Sequence, residues 1–473
     1  MLINLKQAYR KNMKHFDVVV LGAGSAGELI ANELSVAGKS VALVEKLRVG
    51  GECAYVSCMP SKAMLRSAQV RNLIKNARLV GAVSCDAVLD SDQDAYVLAT
   101  SRRDEIAEHR DDSGSAKNSK KSGVTLYRGQ GTFKDVKTLL INTEELTWSD
   151  LVISTGSHPT IPDISGLSEI DYWTSDEVLS SYELPDSIAI IGGGPVGCEL
   201  SEIFSTFGTK THLIQFSDRL ADKEHPDVTK LLAQNLETNG VSVLLNTQVI
   251  SVETQSDGKI ELALDDASTL TVERVVIATG RTPTTSGFNL EALGISLNKQ
   301  GAIQVDESCR AVGATNIWAA GDVTGIAPFT HTANYQGRVV VQNVQGEKVK
   351  ANYSAIPRAI YTNPPVASVG RMTKSSDSEK LIFASNEISN TSRSATDGTG
   401  GGIVVLCADT TRGTLVGGSA IGPHADEWMS EISLAIRAEV PLSVLGDVVH
   451  GFPTFGEVLD QPIRELIELC KEI

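Results

Sequence analysis

One order of hydrophobic and polar positions occurs twice along the chain. Phe16 to Leu21 (FDVVVL) is a short apolar run rich in β-branched residues, as a buried parallel strand requires. Gly22, Gly24 and Gly27 follow at once, then a helical pattern ending near Gly38, then a second strand, SVALVE, closing on Glu45. Ser187 to Ile191 (SIAII) opens the same series: Gly192, Gly194 and Gly197, a helical run to Phe207 and Gly208, and the strand THLIQ ending at Gln215. Two strand–turn–helix–strand units predict an α/β fold with two Rossmann-like dinucleotide-binding domains.

A shorter repeat lies between them. Thr155, Gly156, Ser157, His158 and Pro159 follow the β-rich LVIS, and Thr279, Gly280, Arg281, Thr282 and Pro283 follow RVVIA. Each predicts a strand end and turn where the chain crosses between domains. The charged and small residues of DDSGSAKNSKKSG, from Asp111 to Gly123, predict an exposed loop, as do those of SSDSEK, from Ser375 to Lys380.

The glycine spacing has a chemical reading. The G-x-G-x-x-G turn lets backbone approach a pyrophosphate, the helix start supplies free N–H groups, and Glu45 is suited to bond ribose hydroxyls. Gln215 holds the position equivalent to Glu45 and is neutral, so it does not repel a 2′-phosphate, which nearby Arg219 can reach. NADH and NADPH both stay open, with a lean to NADPH.

The stretch VGGECAYVSCMPSK places Cys53 and Cys58 directly after the first unit. On a regular helix, residues at this spacing are roughly 8 to 9 Å apart, too far for a disulfide. Pairing therefore requires an irregular turn, and Met59 before Pro60 predicts one there. A structural disulfide or half of a zinc site are the competing readings. Zinc wants four ligands, and no second Cys pair or His lies close in sequence, so no metal is expected.

Length and charge narrow the class. The 473 residues allow three or four domains, and 42 basic against 58 acidic residues leave a formal charge of −16, which disfavours nucleic acid or an anionic membrane as partner. No apolar run approaches the roughly 18 to 20 residues of a membrane span. The opening MLINLKQAYRKNMKH lacks a signal peptide's apolar core and reads as a solvated extension, or as an upstream start before Met13; a transit peptide is the alternative. Seven scattered cysteines do not form a secreted disulfide framework, so a cytoplasmic location is expected; apart from Cys53 and Cys58 they read as small hydrophobes or surface thiols.

These residues resemble the pyridine nucleotide–disulfide oxidoreductase family of flavoproteins, which includes dihydrolipoamide dehydrogenase, glutathione reductase and mercuric reductase, and the likeness runs over nearly the whole chain. It implies that the first glycine unit binds FAD and the second NADH or NADPH, and that Gly50, Gly51, Glu52 and Cys53 through Cys58, Met59, Pro60, Ser61 and Lys62 carry a redox-active disulfide beside the flavin. Glu52 stands where Thr is usual. Cys58 is then the flavin-proximal thiol and Cys53 the thiol that meets substrate. The resemblance also implies that Gly321 and Asp322 belong to a late flavin motif whose Asp322 bonds the ribityl chain, and that His331, Thr332 and Ala333 open a helix against the flavin ring. Lys62 and Glu199 match the ion pair near its reactive nitrogen, and Thr155, Gly156, Gly280 and Arg281 count among the cofactor-binding positions. Tyr361, Thr362, Asn363 and Pro364 resemble the opening of a C-terminal α+β interface domain, with Pro365 in place of Glu. The implied domains are 1–157 for FAD, 158–283 for NAD(P), 284–350 returning to the FAD domain, and 351–473 for dimerisation as a homodimer.

One departure bears on activity. The family segment H-x-H-P-T-x-x-E supplies an acid–base His and an orienting Glu from the opposite subunit; here it reads VHGFPTFGEV. Phe452 takes the catalytic His position, His450 takes the first His, and Glu457 remains. Imidazole moves protons near neutral pH and phenylalanine does not. Phe452 is expected to line a pocket beside Cys53, and His450 is a candidate replacement base. Mercuric reductases carry an aromatic residue at this position but end in a cysteine pair, where this chain has only Cys470. Ketopropyl-coenzyme M carboxylase carries Phe there, but Glu457 and the PSK segment match it poorly. The expected activity is FAD-dependent, NAD(P)H-linked oxidoreduction of a small-molecule disulfide or dithiol. A quinone or metal-ion acceptor, or a flavin-binding paralogue without disulfide chemistry, are the alternatives.

Overall fold

Along the strand Met13–Leu21, Val18 and Val20 face one core layer while Val19 and Leu21 face another, and all four are buried. Where both faces are covered the strand has no polar side, which explains the apolar run from Val18 to Leu21. The computed structural model describes residues 13–374, 379–398 and 401–472. Most of the N-terminal extension and most of SSDSEK lie outside the described residues.

Two units build the chain, and each has its own sheets and cores. The first, Met1–Pro60, Asp104–Thr160 and Arg281–Asn352, holds a seven-stranded sheet. Thr125–Arg128, Val41–Glu45, Met13–Leu21 and Glu144–Ile153 run parallel in that order, and Ile317–Ala319 adds to the last of them. Thr138–Ile141 and Gly131–Asp135 extend the sheet in antiparallel fashion. The helices Ser25–Val36 and Thr330–Val344 pack on the Val18 and Val20 face.

In the second unit, Ser242–Leu244, Lys210–Ile214, Ser187–Ile191 and Arg274–Ile277 form a parallel four-stranded sheet. Ile188 and Ile190 face the helices Pro195–Thr206 and Pro226–Thr238, and Ala189 and Ile191 face the antiparallel strands Val249–Thr254, Ile260–Leu264 and Thr269–Val272. The same unit holds a five-stranded antiparallel sheet running from Pro357–Ile360 to Leu381–Glu387, covered by the helices Ala425–Arg437 and Asp460–Lys471. No helix among the described residues is long and apolar enough to cross a membrane.

Two expectations are corrected. The stretch read as a loop between Asp111 and Gly123 contains the helix Ser113–Lys121, which buries only Ala116 and Ser119. Five of its nine residues are Ser, Gly or Asn, which are weaker helix formers, and docking of Ala116 into a core layer adds to what propensity supplies. Met59, where an irregular first turn was expected, lies inside the helix Cys58–Lys75. Pro60 falls in the first turn, where N–H groups have no intrahelical acceptor and none is lost.

Candidate functional site

The two glycine turns share one division of labour. A Cβ on Gly27 would fall 1.9 Å from the Gly22 carbonyl oxygen, and one on Gly197 would fall 1.9 Å from that of Gly192. Only glycine lets each helix sit this close to its turn. Gly24 and Gly194, by contrast, have nothing within 4 Å of a Cβ position, the open space that a pyrophosphate needs beside the helix starts at Ser25 and Pro195. Glu45 accepts the N–H of Ala23 at 2.7 Å and that of Leu47 at 2.6 Å. Gln215 accepts the N–H of Gly193 at 2.8 Å, so the two side chains are equivalent in space as well as in sequence. Glu45 retains lone pairs for ribose hydroxyls. Arg219 donates to the Asp222 carbonyl at 2.6 Å, within its own loop.

In the first unit, residues 51–57 form consecutive turns and Cys58 opens a helix. The Met59 N–H donates to the Cys53 carbonyl at 2.9 Å and closes the segment between the two cysteines into one loop. The irregularity that pairing requires therefore precedes Met59. Gly51 has φ +71°, and a Cβ there would lie 2.8 Å from Gly24 Cα, so the cysteine loop abuts the first dinucleotide turn. Cys58 Sγ lies 3.5 Å from the hydroxyl of Thr330, the first residue of the helix Thr330–Val344.

The two T-G-x-x-P turns meet: Ser157–Pro159 pairs antiparallel with Arg281–Pro283. This brings Arg281 to Ser157 Oγ at 2.7 Å, to the Ser157 carbonyl at 2.8 Å and to Glu52 at 2.5 Å. Ser157 in turn donates to Asp322 at 2.6 Å. Gln336, fully buried, accepts the Gly321 N–H at 2.7 Å and fixes the turn before Asp322. The His331 ring stacks on Phe329 with centroids 5.2 Å apart; Thr332 is buried and its hydroxyl has no partner among the described residues, and Ala333 packs 3.6 Å from the Cβ position of Gly321. Glu52, Ser157 and Gln336 were not distinguishable in sequence as members of one network.

In the second unit, Lys62 Nζ lies 2.7 Å from Glu199 and 4.8 Å from the centroid of the Tyr361 ring. Glu199 is buried and also accepts the Tyr361 N–H at 3.0 Å.

At the C-terminal end of the same unit, His450 is held by Asp460 at 2.5 Å on Nδ1 and by Glu431 at 3.0 Å on Nε2. Burial pulls its pKa down, but hydrogen bonds and charge from Glu431 and Asp460 outweigh burial and leave it raised. Phe452 is 77% exposed. Glu457 accepts the Ser392 N–H at 3.0 Å. Cys470 packs against the apolar core there, and burial raises its pKa.

Two family models match the chain: pyridine nucleotide-disulphide oxidoreductase over residues 16–337, and the dimerisation domain of that family over residues 356–463. A dihydrolipoyl dehydrogenase of Mycobacterium tuberculosis is 33% identical over 96% of this chain and 99% of its own length. A mercuric reductase of Acidithiobacillus ferrooxidans is 29% identical over 93% of this chain and 81% of its own. Among solved structures, the HOCl-induced flavoprotein disulfide reductase RclA of Escherichia coli, as a Cu(II) complex, superposes with a TM-score of 0.83 at 24% identity, covering 97% of this chain and 100% of the other.

Proposed function

The chain belongs to the pyridine nucleotide–disulphide oxidoreductase family, flavoenzymes that use FAD and NAD(P)H and act on sulfur groups, and on that premise we propose that it carries electrons from NAD(P)H to an acceptor through Cys53 and Cys58. Its dimerisation domain supports a homodimer. FAD, when bound, supplies the step between a hydride donor and a dithiol–disulfide pair.

The observation that carries this reading is the cysteine loop itself, closed by the Met59–Cys53 backbone bond and packed through Gly51 onto the first dinucleotide turn. In this reading the turn of Gly22, Gly24 and Gly27, with Glu45, Asp322 and the helix start at Thr330, binds FAD. The turn of Gly192, Gly194 and Gly197, with Gln215 and Arg219, binds the nicotinamide nucleotide. Lys62, held by Glu199, keeps a cation beside the flavin's reactive nitrogen. Cys58 is the flavin-proximal sulfur and Cys53 the sulfur that exchanges with substrate. The division 1–157, 158–283, 284–350 and 351–473 follows from these assignments.

Phe452 stands in place of the acid–base His. Both nitrogens of His450 are engaged by carboxylates of its own domain, which disfavours it as a replacement base. A metal ion, which takes up no proton on reduction, or a quinone, which takes its two protons from water, is therefore the second reading. Steady-state oxidation of NADH and NADPH with lipoamide, glutathione disulfide, a benzoquinone and mercuric ion distinguishes them. Loss of turnover with every acceptor in Cys53→Ser and Cys58→Ser variants is expected; a quinone rate untouched by both would overturn the route through the cysteines.

A further inference from the structure

Glu202 lies three residues after Glu199 on the helix Pro195–Thr206 and is completely buried. Its Oε2 accepts the N–H of Asn363 at 2.7 Å, while Oε1 is buried with no hydrogen-bond partner among the described residues. Glu199, on the same face, accepts the N–H of Tyr361. Two carboxyl groups thus grip alternate N–H groups of one short segment, and that segment carries the ring covering the Lys62 ammonium.

We propose that Glu202 is a positioning residue for the Lys62–Glu199 pair, acting through Asn363 and Tyr361. The proposal rests on the reading of Lys62 and Glu199 as the flavin-side ion pair. Releasing Asn363 loosens the segment that carries Tyr361, whose ring covers Lys62 and whose N–H donates to Glu199. No cation pairs with Glu202 among the described residues; the ionisable groups acting on it are Glu199 and, beside it, the Cys198 thiol, which feels both carboxyls. Burial pushes the Glu202 pKa up, the Asn363 N–H opposes this, and the Glu199 charge adds to the rise, leaving it at about 7. Near neutrality its proton belongs on Oε1, since Oε2 already holds the Asn363 N–H. Loss of that proton places a second negative charge against the Lys62–Glu199 pair.

The test uses the flavin-loaded protein, Glu202→Gln, which keeps an acceptor for Asn363 without the charge, and Glu202→Leu, which removes the acceptor. Two signals are followed from about pH 6 to about pH 8: the visible flavin band at rest, and the rate at which excess NADH or NADPH bleaches it. In the unmodified protein both should change with a midpoint at about 7. Glu202→Gln should abolish the pH dependence and keep a rate that Glu202→Leu lowers by at least about tenfold. A wild-type pH profile in Glu202→Gln, or a wild-type rate in Glu202→Leu, would overturn the proposal. If neither nucleotide bleaches the unmodified protein, the functional reading fails instead. The resting flavin band then decides the matter for Glu202: a titration lost in Glu202→Gln supports the proposal, and its persistence or its absence from the unmodified protein contradicts it.

Discussion

Arg281 brings a guanidinium nitrogen to 2.5 Å from the carboxylate of Glu52, the residue directly before Cys53. The acid that departs from the family pattern is thus matched by a charge already fixed on Ser157, and through Ser157 the link reaches Asp322. Both partners are partly exposed, so the ion pair alone contributes little. Glu52→Thr should cost under about 1 kcal/mol of stability, whereas Arg281→Ala, which also removes two hydrogen bonds to Ser157, should cost about 2 kcal/mol. Denaturant unfolding of the two variants checks this order, and the reverse order would contradict it.

Phe452→His returns an imidazole to the position where the family keeps one. Dihydrolipoamide turnover by the unmodified chain should be poor, and the substitution should raise it by at least about tenfold. Glu457 is already bonded to the Ser392 N–H, so it has to turn toward the new ring for the full gain. A dihydrolipoamide rate typical of family members in the unmodified chain would remove the case for Phe452.

The raised pKa of His450 has a definite sign. A histidine whose folded value lies above the ordinary 6.5 adds stability that is fully present below 6.5 and lost as pH rises through the folded value. Glu202 acts in the same direction, because its folded state holds a proton from 4.5 up to about 7 that the unfolded state releases. Unfolding temperatures should therefore fall as pH rises through neutrality, and the His450→Gln and Glu202→Gln variants should each flatten part of that slope. A slope identical in all three proteins would refute it.

Gln215→Glu places a carboxylate where a 2′-phosphate would lie. The ratio of kcat/KM for NADPH to that for NADH should drop by at least about tenfold from charge repulsion. An unchanged ratio would mean that Gln215 does not face the ribose.

Most of the fold was legible because apolar runs and glycine spacing report buried parallel strands and tight turns directly. The strand Ser187–Ile191 appears with the bounds that SIAII suggested, and Gln215 meets Gly193 as Glu45 meets Ala23. The helix Ser113–Lys121 was not legible, since SGSAKNSKK carries no apolar stripe and buries only Ala116 and Ser119. Glu202 was hidden for a different reason: a glutamate one turn after Glu199 looks like a solvent-facing residue until the chain brings Asn363 against it. The partnership of Glu52 with Arg281 joins residues remote in sequence, and only the pairing of the two T-G-x-x-P turns brings them together.

The most direct measurement is an anaerobic titration of the flavin-loaded protein with NADH and, separately, NADPH, followed through its visible spectrum. A long-wavelength band from a thiolate against the flavin is expected after the first electron pair, and Cys58→Ser should abolish it. Direct bleaching of the flavin without that band would contradict electron transfer through Cys53 and Cys58.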